Sequence, residues 1–144
     1  MRCGIDPGRN KIGLAFADPT ALLFSAIIPK SEERLLAEAL RRGEWSLVER
    51  WRMEGSICDI EGKHVERIFW GGGTSSGDIE TLLENVPRAE KVDEYGSTLE
   101  GRRLYWKLHP PSGLWRFIPT SLRVPPRDID DLAAWAIIIK QWQT

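Results

Sequence analysis

Residues 2–28 read RCGIDPGRNKIGLAFADPTALLFSAII, and the pattern of apolar residues within them decides the fold. Arg2–Asp6 reads as a short strand that stops at the turn Pro7-Gly8-Arg9-Asn10. Lys11–Asp18 is a second strand, with Ile12, Leu14 and Phe16 on one face and small residues on the other. Asp18-Pro19-Thr20 turns the chain into a third apolar strand, Ala21–Ile28. Alternation of this kind marks half-buried strands. Three of them joined by short turns form an antiparallel meander.

Working outward, Glu32 to about Arg52 is amphipathic at near-helical spacing through Leu35, Leu36, Ala39, Leu40, Leu47 and Trp51, with Gly43 as a break point. Val65–Trp70 reads as a buried strand running into Gly71-Gly72-Gly73, and Thr74-Ser75-Ser76 can cap a helix carrying Ile79, Leu82, Leu83 and Val86. Lys91–Asp93 is a fifth, short strand, and Ser97 with Glu100 forms a capping box before the next helix. Pro110–Pro126 is loop with a short strand expected at Leu114–Ile118, and Asp128 opens a last helix that extends to Ile139. The order predicts an α/β fold: a mixed five-stranded sheet, three antiparallel strands and then parallel ones, flanked by helices. No repeat or linker divides the 144 residues, so a single domain over 1–144 is expected.

Composition narrows the function classes. Hydrophobic residues make up 42% and charged residues 28%, ordinary for a globular protein, so disordered and collagen-like classes are excluded. The longest apolar run, Leu132–Ile139, is too short to cross a membrane. Asp6 follows Met1 closely, so a secretory signal is not expected. Cys3 and Cys58 make no disulfide framework, and a cytoplasmic location is expected. The net charge of −1 hides an asymmetry: Gly101–Arg127 holds six basic residues and no acid, whereas the remainder carries 14 basic and 21 acidic residues. Tyr105, Trp106, Trp115 and Phe117 are interleaved with those bases, a local signal for an anionic partner.

The acids fall where α/β folds place ligand sites, at strand ends and helix starts. Asp6 ends the first strand, Glu94 follows the fifth, and Asp128 and Asp131 open the last helix three residues apart. Asp130, on another face of that helix, reads as a capping or solvated residue, and Asp18 as a turn residue. Converging carboxylates repel unless they share divalent cations, and oxygen-only ligands suit Mg²⁺ or Mn²⁺. Two such ions roughly 4 Å apart clamp an in-line attack on a phosphodiester. In GGGTSSGD, Asp78 stands where a nucleotide-binding P-loop needs Lys, which excludes that motif.

GIDPGRNKIGLAFAD resembles the opening of the RuvC/YqgF-like Holliday-junction resolvase family within the RNase H-like nuclease superfamily, through Asp6, Gly8, Lys11, Ile12-Gly13, Ala15 and Asp18. VDEYGST resembles the family's second motif, with Glu94 at the catalytic position. DDLAAWAIII resembles its last helix, with Asp131 as the matching acid and Asp128 at the extra acidic position of the RuvC branch. Tyr95 stands where the family usually has Arg, and Gly71-Gly72-Gly73 replaces its Gly-Leu-Pro. The resemblance implies an RNase H-like fold and a metal-dependent endonuclease in which Asp6, Glu94 and Asp131, supported by Asp128, hold one or two Mg²⁺ or Mn²⁺. Its implied partners are structured DNA, such as a four-way junction, or precursor ribosomal RNA, with homodimerisation left open. Arg9, Lys11, Arg102 and Arg103 are the expected phosphate contacts, and Trp106 and Trp115 the expected base-stacking pair. The competing classes are a non-catalytic nucleic-acid-binding module that keeps the fold, and an ATP-binding domain of the actin/sugar-kinase type, which needs two such domains.

Overall fold

The computed structural model describes residues 1–71, 77–93, 97–119 and 122–143. The opening meander forms as read: β1 (Arg2–Pro7), β2 (Lys11–Ala17) and β3 (Leu22–Pro29) pair antiparallel in sequence order. Asp18 closes the β2–β3 turn, its carboxylate accepting from the Thr20 hydroxyl and from the backbone N–H groups of Thr20 and Ala21. Those bonds, the Thr20 hydroxyl first, hold its pKa below the usual carboxylate range.

The amphipathic stretch after β3 is not one helix. Helix α1 (Glu33–Arg42) stops at Gly43, whose φ of 70° gives a left-handed cap with its N–H on the Ala39 carbonyl at 2.8 Å. Two 3-10 turns, Trp45–Leu47 and Glu49–Trp51, then carry the apolar residues onto the core, with the Trp45 ring 4.7 Å from that of Phe16. The chain next adds β4 (Arg52–Gly55) antiparallel to β3. β5 (Arg67–Gly71) and β6 (Ala89–Val92) follow, parallel to β1 and to each other. The sheet therefore has six strands, not five, in the order β4-β3-β2-β1-β5-β6. RMEG carries no apolar alternation, so β4 had no periodic signal to betray it.

Helices α2 (Gly77–Leu83), α3 (Ser97–Leu108) and α4 (Asp130–Trp142) complete the fold. The segment at Leu114–Ile118 is no strand; Gly113–Phe117 is a 3-10 turn without a buried residue. The expected cap at Thr74–Ser76 lies outside the described residues. Among the described residues no helix is long and apolar enough to cross a membrane.

The two faces of the sheet are packed differently. Ile5, Ile12, Leu14, Phe16 and Phe24 meet Leu36 and Leu40 of α1 and Ile79 and Leu83 of α2 in a core of large side chains. The opposite face is made of Gly4, Gly13, Ala15 and Ala17, and α4 lies directly on it. A Cβ on Gly4 would stand 2.2 Å from the Ala134 carbonyl oxygen, and one on Gly13 would stand 1.9 Å from that of Asp130. Helix backbone thus rests on strand backbone. Tyr105 of α3 packs behind α4 with Leu132, Trp135 and Ile138.

Candidate functional site

The tight seat of α4 decides which acids meet. Along β1, Cys3 and Ile5 enter the large-side-chain core, so Gly4 and Asp6 alternate onto the face that α4 covers. Asp6 pairs in register with Gly13, and the Asp130 backbone rests on Gly13. Residues paired across antiparallel strands are about 4.5–5.5 Å apart, so the first turn of α4 begins beside Asp6. The Asp130 carboxylate also reaches over the β1–β2 turn, with Oδ1 3.9 Å from where a Gly8 Cβ would stand.

Asp6, Asp128 and Asp130 line one open cleft of about 850 Å³. Thr98 and Arg102 of α3 form one wall, Val124–Arg127 with Met53 of β4 another, and Ile27, Ile129 and Ala133 add apolar lining. The β3–β4 register shifts beside Met53, a bulge that re-aims one side chain. Asp128 precedes the helix and does not open it; its carboxylate pairs with Lys11 at the surface. The Lys11 amine is held above its usual pKa, first by that hydrogen bond and then by the charges of Asp128 and Asp130.

Asp131 does not line this cleft. It is fully buried, with Oδ2 accepting from the Ser25 hydroxyl at 2.5 Å and Oδ1 from Arg127 at 2.8 Å. Arg127 also lies 3.5 Å from Glu54, over the Tyr105 ring, and Glu54 meets His109 at 2.5 Å. Burial opposes the Arg127 charge, but its bonds to Asp131 and the nearby Glu54 more than offset this and raise its pKa. The network staples the 122–127 wall to α4, β3 and β4. Breaking it leaves an uncompensated buried carboxylate. Because Arg127 is 21% exposed, Arg127→Met should cost about 3 kcal/mol, the low end for a broken buried pair. Chemical denaturation should show that loss, and Arg127→Met with Asp131→Leu should recover most of it; a loss under about 1 kcal/mol would mean water replaces the guanidinium.

The expected Asp128–Asp131 pairing assumed that the helix begins at Asp128. It begins at Asp130, so Asp128 lies outside the helix and the pairing is lost; Asp131 is on the buried face and Asp130 on the cleft. Glu94 lies outside the described residues. Of the expected phosphate contacts, Arg9 is exposed in the β1–β2 turn, Lys11 is engaged with Asp128, and Arg102 lines the cleft. Arg103 points outward and pairs with Glu100 at 3.1 Å. Trp106 is half-buried and donates its indole N–H to the Arg123 carbonyl at 3.2 Å, a packing role that the sequence pattern did not separate from stacking. Trp115 is 55% exposed. Cys3 is buried in the core, and burial pushes its thiol pKa far up.

Among the described residues no three His, Cys, Asp and Glu side chains are grouped closely enough to hold a metal ion by themselves. The donors on the cleft are nonetheless of the right kind. Mg²⁺ is commonly held by one or two carboxylates together with water and substrate phosphate, with no full protein cage. Comparison with family models and with curated proteins finds no match for this chain.

Proposed function

We propose that this chain is a metal-dependent endonuclease of the RuvC/YqgF type with an RNase H-like fold, hydrolysing phosphodiester bonds in structured DNA or precursor ribosomal RNA. The sheet supports the reading: beside its extra edge strand it has three antiparallel strands followed by two parallel ones. The observation that carries it is the meeting of Asp6 from β1 and Asp130 from α4 on one cleft beside Arg102.

In this site Asp6 and Asp130 would hold Mg²⁺ or Mn²⁺. The bound ion supplies Lewis-acid activation of water and charge neutralisation at the phosphate. Arg102 is placed to orient a phosphate from the α3 wall, and Lys11 offsets the Asp128 charge that would otherwise repel the substrate. Arg127 keeps the opposite wall in position through Asp131 and Glu54.

One observation favours a second reading, a nucleic-acid-binding module without catalysis: Asp131 and Asp128 are each already paired with a cation. A substrate panel with Mn²⁺ separates the two. Four-way junction, flap, single strand, duplex and structured RNA are each incubated with the protein, with and without chelator. Chelator-sensitive cleavage of at least one branched or folded substrate is expected. Binding without cleavage would select the second reading, and neither binding nor cleavage would sink both.

A further inference from the structure

A second pocket, of about 380 Å³, adjoins the acidic cleft and shares Val124 and Pro126 with it. Trp106 and Trp115 line it, with His109 and Ser112 as its polar groups. Its back wall is preorganised. The Trp106 indole N–H is bound to the Arg123 carbonyl, and the Arg123 guanidinium lies 5.2 Å over the ring. Its apolar lining is open to solvent: Trp115 is 55% exposed and Val124 69%. The surrounding stretch 101–127 holds six basic residues and no acid.

We infer that this pocket receives an unpaired nucleobase, so that the neighbouring cleft acts on nucleic acid with an unstacked nucleotide close to the scissile phosphate. The inference rests on the endonuclease reading and names the substrate class of that same site. The volume is at the small end of the roughly 300–1,000 Å³ of ligand pockets, room for one base with its sugar and not for a stacked run. A base inside a duplex is covered on both faces and cannot enter without being extruded; a base in a single strand or at a branch can. The exposed Trp115 ring offers a π-face that accepts any base, and the exposed Lys107 and Arg116 of the same stretch supply positive charge for the attached phosphates. An aromatic, proline-bearing groove also suits a proline-rich peptide. Continuity with the carboxylate cleft and the charge of the flank favour nucleic acid.

The test measures anisotropy of a labelled single-stranded oligonucleotide and of a blunt duplex of equal length, in metal-free buffer, with the native chain, Trp115→Ala and Trp115→Phe. Trp115 is largely exposed, so both variants should keep the native melting temperature. Trp115→Ala should weaken single-strand binding by about tenfold or more without changing its salt slope, and Trp115→Phe should restore it. Duplex affinity should not move. Unchanged single-strand binding by Trp115→Ala, or an equal loss on duplex, overturns the base pocket while leaving the endonuclease reading intact. Absence of binding to either nucleic acid by the native chain also overturns the base pocket, and the endonuclease reading is then decided by the junction and structured-RNA arms of the substrate panel. A polyproline peptide that competes with the single strand at Trp115 more tightly than an unlabelled oligonucleotide would reassign the pocket to protein docking.

Discussion

Asp6→Asn should lower metal-dependent cleavage by more than about a hundredfold, because losing a ligand should exceed the 10–100-fold cost of losing a partner behind one. The substitution keeps the size and hydrogen-bonding shape of the side chain and removes one negative charge from the cleft. Binding of substrate should change little, since the phosphate contacts lie elsewhere on the walls. In metal-free buffer the variant should melt no lower than the native chain, because one of three carboxylates sharing a cleft has become neutral. Asp130→Asn should behave in the same way. Asp131→Asn is the discriminating comparison: it removes the buried charge that pairs with Arg127 and one of the two oxygens that accept from it, so it should lower stability and leave the metal concentration for half-maximal cleavage nearly unchanged. Full activity in a clean Asp6→Asn preparation would place the activity at another site. A loss of metal dependence in Asp131→Asn but not in Asp130→Asn would restore Asp131 as the ligand.

Gly13→Ala should be strongly destabilising for a single added methyl. The added Cβ would stand 1.9 Å from the Asp130 carbonyl oxygen and 2.3 Å from its carbon. Both are backbone atoms of a helix, so no side-chain rotation relieves the clash and α4 must lift from the sheet. Ordinary overpacking costs about 1–3 kcal/mol, and displacing a helix should reach the top of that range or exceed it. Against a typical total of about 5–15 kcal/mol, that is a large share of the stability. Thermal melting should fall by roughly 10 °C or more, and any folded fraction should cleave poorly because Asp130 has moved. Gly43→Ala is the control. Nothing lies within 4 Å of its Cβ position, and only its φ of 70° opposes the change, a cost of about 1 kcal/mol. Equal melting temperatures for the two variants would mean that α4 is not seated as described.

The readable parts of this fold are those with a periodic signal. Alternating Ile12, Leu14 and Phe16 against Gly13, Ala15 and Ala17 announced β2, and the same small residues later proved to be the seat of α4. Asp6 could be placed at a strand end because Pro7-Gly8 stops the strand there. The choice between Asp130 and Asp131 was not readable in the same way. Successive helical residues differ by about 100° in direction, so Asp130 and Asp131 face different ways, and which one is buried is set by the face of α4 that rests on Gly13 and Ser25. The Ser25–Asp131–Arg127–Glu54 network joins β3, α4, the 122–127 segment and β4, and such contacts follow from tertiary packing and not from local pattern. Leu47 and Trp51 kept helical spacing although Gly43 had ended the helix, since 3-10 turns also return apolar residues to one side.

The backbone-on-backbone seat of α4 also bears on how the molecule moves. Helices cushioned by long side chains can slide as rotamers change, but Gly4 and Gly13 leave α4 no such cushion. The floor of the cleft, Asp6 and Asp130, therefore fluctuates as one body with β1 and β2. The 3-10 turn at Gly113–Phe117, beside the second pocket, buries no residue, whereas Arg127 and the Trp106–Arg123 bond fasten the segment that follows it. Breathing belongs to that turn and the pocket it borders. Amide hydrogens of Ala134–Ile138 should exchange only through global unfolding, while those of residues 113–118 exchange through local opening. A substrate entering this site meets a fixed pair of carboxylates, with the more yielding aromatic pocket next door.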